Sequence, residues 1–148
     1  MGLYFEDLEV GQQFESVGRT VTNHEVMEFA GLAGDFNQLH TDDEFAKASP
    51  FGRRIAHGVL VLAIMTGLTQ RLGLFDGTAL ALLGLTWNFH GPVFLNDTVR
   101  FRLTIDSKRP TSKPDRGIVV RKYEVLNQNG QTVQTGTITV MVRCRPTQ

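Results

Sequence analysis

Within six residues the chain sets a carboxylate, an amide and an imidazole: Asp35, Asn37 and His40. An imidazole gives or takes a proton near neutral pH, and a carboxylate accepts one. If a loop brings Asp35 and His40 together over one water molecule, the pair suits acid–base work on that water. Further along, His57-Gly58 immediately precedes the most apolar stretch of the chain. A helix starting there presents unpaired amide N–H groups and a partial positive charge. Gly58 has no side chain, so a ligand carbonyl can approach its amide closely. An acid–base pair plus backbone donors aimed at a carbonyl is what water addition to an α,β-unsaturated thioester requires. Charge then builds on the carbonyl oxygen as an enolate, and losing one such donor typically costs ~2.7–4 kcal/mol in the barrier. Thr66 is the one polar group in the most apolar part of that helix and so its one offer to a ligand.

Each residue taken singly also has an ordinary reading. Asp35 after Gly34 suits an Asx-type turn, His40 a structural or solvent histidine, and His57 a helix cap or a brace for the loop. Thr66 can bond back to its own helix. His24 reads as an exposed first-turn residue and His90, beside Gly91-Pro92, as a strand-end packing residue. The joint arrangement is what points to chemistry.

The elements that must position these groups are legible in the spacing. Thr22-Asn-His-Glu25 matches a capping box, and Val26, Phe29, Ala30 and Ala33 follow at helical spacing as far as Gly34. A polar loop over 35–40 leads to a short acidic segment, 42–48, that can form two turns before Pro50 and Gly52 break the chain. Residues 58–72 read as a helix buried on every side. After Gly77 the period becomes two. Strands are expected over 79–89, 99–105 and 118–126, a further one carries Ile138, Val140 and Val142, and Asn129-Gly130 supplies a hairpin turn. A short fifth strand fits 13–19. Antiparallel strands around one very apolar helix make an α+β roll.

The 148 residues suit a single domain. Fifteen basic residues balance fifteen acidic ones, an unpromising charge for a nucleic-acid binder. The balance hides a gradient: residues 1–50 hold ten acids against two bases, and residues 101–148 hold nine bases against three acids. The acidic and basic segments are expected to face each other in the fold or across a dimer, or else the basic end meets an anionic ligand. One cysteine, Cys144 in an apparent strand, excludes an intrachain disulfide and a multi-cysteine zinc site. The N-terminus lacks a signal-peptide pattern, and no apolar run approaches the ~20 residues that cross a bilayer. A cytoplasmic protein with no membrane or nucleic-acid partner is the expectation.

The pattern Phe29…Gly34-Asp35-x-Asn37-x-Leu39-His40-x5-Ala46, followed by Ile55-Ala-His57-Gly58, resembles the hydratase 2 signature of the MaoC-like dehydratases, or (R)-specific enoyl-CoA hydratases. The resemblance runs across almost the whole chain and implies one MaoC-like hot-dog domain over 1–148, a curved antiparallel sheet wrapped around a long central helix. It implies Asp35 and His40 as the catalytic pair, Asn37 as a support for loop or water, and Gly58 as the amide donor to the thioester carbonyl. Thr66 falls where a serine is common. Gln38 and Ala33 depart from the signature, which usually has proline and a small Cys, Gly or hydroxyl residue there. Substrate binding is thus assigned to Asn37, His57, Gly58 and Thr66. The implied reaction is hydration of trans-2-enoyl-CoA or the reverse dehydration, with no metal and no cofactor, since CoA belongs to the substrate. An acyl-CoA thioesterase and a non-catalytic acyl-thioester-binding subunit are the alternatives. At least a homodimer is expected, because a free sheet edge needs cover. Arg53, Arg54 and the basic C-terminal third are candidate partners for CoA phosphates.

Overall fold

The computed structural model describes residues 2–146. Helix α1 spans Asn23–Ala33 and starts where the capping box predicts, with a Glu25 carboxylate oxygen accepting the Thr22 amide at 2.8 Å. Gly34 ends it in the left-handed region at φ 75°, a conformation that glycine adopts without the Cβ penalty. The expected polar loop contains a single helical turn, α2 (Gln38–Thr41), followed by α3 (Asp43–Lys47). α2 has no apolar periodicity to announce it. It forms because Asn37 Oδ1 accepts the Leu39 amide at 2.9 Å and caps it.

Helix α4 (Gly58–Arg71) packs on a sheet of six strands. The strands are β1 (Gln13–Glu15), β2 (Arg19–Thr20), β3 (Ala79–Phe89), β4 (Thr98–Pro110), β5 (Arg116–Leu126) and β6 (Thr132–Arg143). The order is β1-β4-β5-β6-β3, with β2 also on β4, and every pairing is antiparallel. The single strand expected over 13–19 is thus two, β1 and β2, interrupted around Ser16, whose hydroxyl accepts the Phe101 amide at 2.9 Å. Cys144 lies just past β6, half-buried.

Alternation on β4 holds as expected, with Val99, Phe101, Leu103 and Ile105 fully buried. They meet Leu60, Val61, Ile64, Met65 and Leu68 of α4 in one core. A shift of register between Ile105 and Ser107 adds a bulge, which bends a strand and increases its twist. The sheet curves around α4 as a hot-dog fold. The helix is not buried on every side, however. Val59, Ala63, Thr66, Gly67 and Gln70 form an exposed stripe, because a sheet can cover only the side of a helix that faces it. On β3, Leu82, Leu85 and Phe89 are also exposed, and among the described residues one edge of that strand has no partner.

Part of the charge gradient is met inside the fold. Glu15 of β1 pairs with Arg102 at 3.1 Å, Asp7 pairs with Arg145, and Lys108 donates to the Phe5 carbonyl at 3.1 Å. Among the described residues no helix is long and apolar enough to cross a membrane.

Candidate active site

The Asp35 segment and the start of α4 converge. One ligand atom each from Asp35, His40 and His57 lies within 4.8 Å of the others. A water making two ~2.8 Å hydrogen bonds spans that separation. The expected juxtaposition of Asp35 and His40 is therefore present, and its supports are specific.

His40 Nδ1 lies 2.8 Å from the Ile55 carbonyl oxygen. A carbonyl only accepts, so Nδ1 carries a proton, and in the neutral imidazole the lone pair is then on Nε2. His57 Nε2–H donates to the backbone carbonyl of Asp35 at 3.0 Å. The two imidazoles stack at 3.8 Å between centroids, and Phe29 of α1 meets His57 edge-on at 4.9 Å. His57 is 3% exposed and makes no side-chain cap bond, so it braces the loop, and its buried Nδ1 has no partner among the described residues.

Asp35 is exposed and its carboxylate accepts the Asn37 amide at 3.2 Å, an Asx turn that leaves the other oxygen free. The turn reading holds, and it engages only one carboxylate oxygen. Asn37 supports the loop: its side chain caps α2, and its carbonyl accepts the His40 amide at 2.9 Å.

Gly58 opens α4, and its amide lies outside the helix's own ladder. Its missing Cβ also has a packing cause, since a methyl there would sit 2.6 Å from the Phe89 ring. Gln134, 2% exposed on β6, donates to the Gly58 carbonyl at 3.2 Å and accepts the Trp87 indole N–H at 2.8 Å. This tie between helix start and sheet escapes sequence reading, because nothing in the β6 pattern marks one inward glutamine as a brace.

Arg54 is the second missed residue in kind. Instead of facing solvent as a phosphate partner, it pairs with Asp43 at 2.6 Å and donates to Asn23 Oδ1 at 2.8 Å and the His40 carbonyl at 3.2 Å. It thereby clamps α1, α2 and α3 around the site. Arg53 remains available, stacked 4.0 Å over the Phe94 ring.

A cavity of about 530 Å³ opens beside Gly58 and Ile55, walled by Val59, Phe89 and Val93. It falls in the size range of small-molecule sites. A more polar cavity of about 360 Å³, lined by Arg53, Asn127 and Thr132, adjoins it through His90-Gly91-Pro92. His90, the expected strand-end residue, bonds Thr135 Oγ1 at 2.6 Å. Thr66 lies eight residues along α4 from Gly58, ~12 Å at 1.5 Å per residue. Its hydroxyl donates to Ala63 at 2.6 Å, so it stands apart from the Asp35–His40 pair. Asp35, His40 and His57 are also the kind of set that ligates a metal, though one nitrogen of each imidazole is already held by a carbonyl.

The family model for the MaoC like domain matches residues 6–128. The chain is 35% identical over 115 residues to a 3-hydroxybutyryl-CoA dehydratase of Methylorubrum extorquens, covering 77% of this chain and 71% of that one. It is 32% identical over 143 residues to an (R)-specific enoyl-CoA hydratase of Rhodospirillum rubrum, covering 96% and 93%. The crystal structure of a MaoC-like dehydratase from Rhodospirillum rubrum superposes with a TM-score of 0.89 at 33% identity, covering 99% of this chain and all of that one. With the matched motif folded so that Asp35, His40 and His57 converge, the chain belongs to the MaoC-like dehydratases, a hot-dog family of hydro-lyases.

Proposed function

We propose that the protein hydrates trans-2-enoyl-CoA to (R)-3-hydroxyacyl-CoA, or catalyses the reverse dehydration. The observation that carries the reading is the His40 tautomer: with Nδ1 donating to Ile55, the basic Nε2 is left for a water shared with Asp35. In this reading the water oxygen adds to C3 while one of the pair takes its proton. The electrons of the C2–C3 double bond move onto the thioester oxygen, where the Gly58 amide stabilises the enolate. Collapse of the enolate returns a proton to C2, completing addition of one water. The 530 Å³ cavity beside Gly58 supports this orientation, and the adjoining polar cavity with Arg53 offers CoA a path.

The proposal uses neither metal nor redox cofactor. It takes residues 1–148 as one domain, a cytoplasmic location and at least a homodimer, the last supported by the unpartnered β3 edge with Leu82 64% exposed. The test is loss of enoyl absorbance from crotonyl-CoA on adding the protein, unchanged by a chelator. Released thiol without hydration would instead identify a thioesterase, and binding without turnover a non-catalytic subunit. Equilibrium sedimentation at monomer mass would remove the dimer.

A further inference from the structure

Arg121 stands on the inward face of β5, opposite Ile105 of β4 and Ile138 of β6, and is 8% exposed. A guanidinium in that position demands a counter-ion or full hydrogen bonding. Among the described residues it has neither. No carboxylate reaches ion-pairing distance, and its buried Nε has no acceptor. Its neighbours are two aromatic faces, Phe75 at 4.9 Å and Tyr123 at 5.7 Å. Tyr123 cannot serve as an anion: burial pushes its phenol up, and its hydroxyl is taken by Thr69, whose own proton goes to the Met65 carbonyl. Asp76 engages Gln70 at 2.6 Å rather than Arg121.

The charge borders a partly open cavity of about 170 Å³, lined also by Thr66, Thr69, Gln70, Phe75, Ala79 and Val140. That is roughly the size of a cavity that admits benzene, ~150 Å³, and too small for a nucleotide. Thr66 and Gln70 of its wall belong to the exposed stripe of α4 that begins at Val59 beside the larger cavity. A ligand lying along that stripe from Gly58 therefore runs its far end toward Arg121.

We infer that Arg121 receives a carboxylate at the far end of the acyl chain, so that the preferred substrates are ω-carboxyacyl thioesters. The inference rests on the hydratase reading for the position of the thioester at Gly58. A guanidinium fork matches a carboxylate with two parallel N–H donors, and the apolar walls desolvate the pair. Thr66 adds only acceptor capacity, because its proton is spent on Ala63. An extended chain covers ~3.5 Å per three bonds. The ~12 Å from Gly58 to Thr66 thus corresponds to about ten bonds.

The experiment compares trans-2-decenoyl-CoA with trans-2-decenedioyl-CoA in the wild type, Arg121→Met and Arg121→Lys. The expected wild-type preference, as a ratio of kcat/KM, is tenfold or more for the dicarboxylic substrate. Arg121→Met should abolish it and Arg121→Lys retain part of it. Equal ratios in wild type and Arg121→Met would overturn the inference. So would a wild type that does not distinguish the two, a result that needs no folded variant. Calorimetry with the saturated decanoyl- and decanedioyl-CoA separates the two readings. Tighter binding of the dicarboxylic ligand that is lost in Arg121→Met, without turnover of either enoyl-CoA, would keep Arg121 and discard the hydratase.

Discussion

His40 Nδ1 and the carbonyl oxygen of Ile55 lie 2.8 Å apart across fifteen positions of sequence. Ile55 is itself held from two sides: its amide donates to the Leu39 carbonyl at 3.1 Å, and it bridges to Phe94. The tautomer of a half-buried imidazole is therefore set by a segment anchored on the fold.

Replacing His40 with Gln or Asp35 with Asn keeps the polar bulk and removes the base. Crotonyl-CoA hydration should slow by about 10² or more in each variant. Asp35 is exposed and His40 half-buried, and both replacements keep a polar side chain of similar size, so far-UV circular dichroism should match the wild type. Undiminished turnover in either variant would exclude that residue from the chemistry.

Arg54 touches no proposed substrate atom, yet it holds the His40 carbonyl, Asn23 and Asp43 together. Arg54→Met should lower kcat about tenfold or more through misplaced geometry, with a smaller change in KM. Arg54→Lys should recover little, because an ammonium cannot reproduce the planar fork across three acceptors. Steady-state kinetics of the pair decides it, and full activity of Arg54→Met would reject the clamp.

At Gly58 packing and chemistry can be separated. Gly58→Ala forces its methyl against Phe89 and should cost about 1–3 kcal/mol. Adding Phe89→Ala should restore thermal stability, since the obstructing atoms are gone. Turnover should stay below wild type if the methyl keeps the thioester oxygen away from the residue-58 amide, which alanine still carries. Recovery of both in the double variant would leave glycine as a packing requirement alone.

Glu25 gives a pH signature. Burial raises its carboxyl, but hydrogen bonds from the Thr22 hydroxyl and amide outweigh it, with Arg19 adding to them, and the net pKa is lowered. A folded pKa below the unfolded one stabilises fully above the unfolded value near 4.5 and is lost as pH falls through the folded value. Glu25→Ala should cost about 0.5–2 kcal/mol at neutral pH by removing half of the capping box. Urea unfolding of wild type and variant should converge as the pH falls from 4.5 through the lowered folded value. A gap that persists in acid would show that the carboxylate's charge is not what caps α1.

Much of the frame was legible along the chain because the signals were local. The Thr22–Glu25 box, the αL glycine at 34 and the period-two run from Val99 to Ile105 each need only a few neighbours to act. The same holds for the Asp35…His40 spacing. What failed was non-local. The exposed stripe of α4 could not be told from its buried side, since Val59 and Val61 are chemically alike and only the sheet distinguishes them. Arg54 read as a candidate for CoA phosphates because its three partners lie 11 to 31 positions away. The short helix α2 depends on one side-chain cap, a signal too small to outvote a polar composition.

The sequence by itself determined the chemical inventory, the helix that ends at the site, the helix that begins there, and the family resemblance. Residue type and short spacing encode those. The tertiary structure decided which nitrogen of His40 is free, that Asp35 and His57 meet it, that Gln134 ties α4 to β6, and that Arg121 faces a cavity without a counter-ion. Those are relations between segments brought together by burial of apolar surface. Hydrophobic burial is non-directional, so it leaves the pairing of individual polar groups to the final packed geometry.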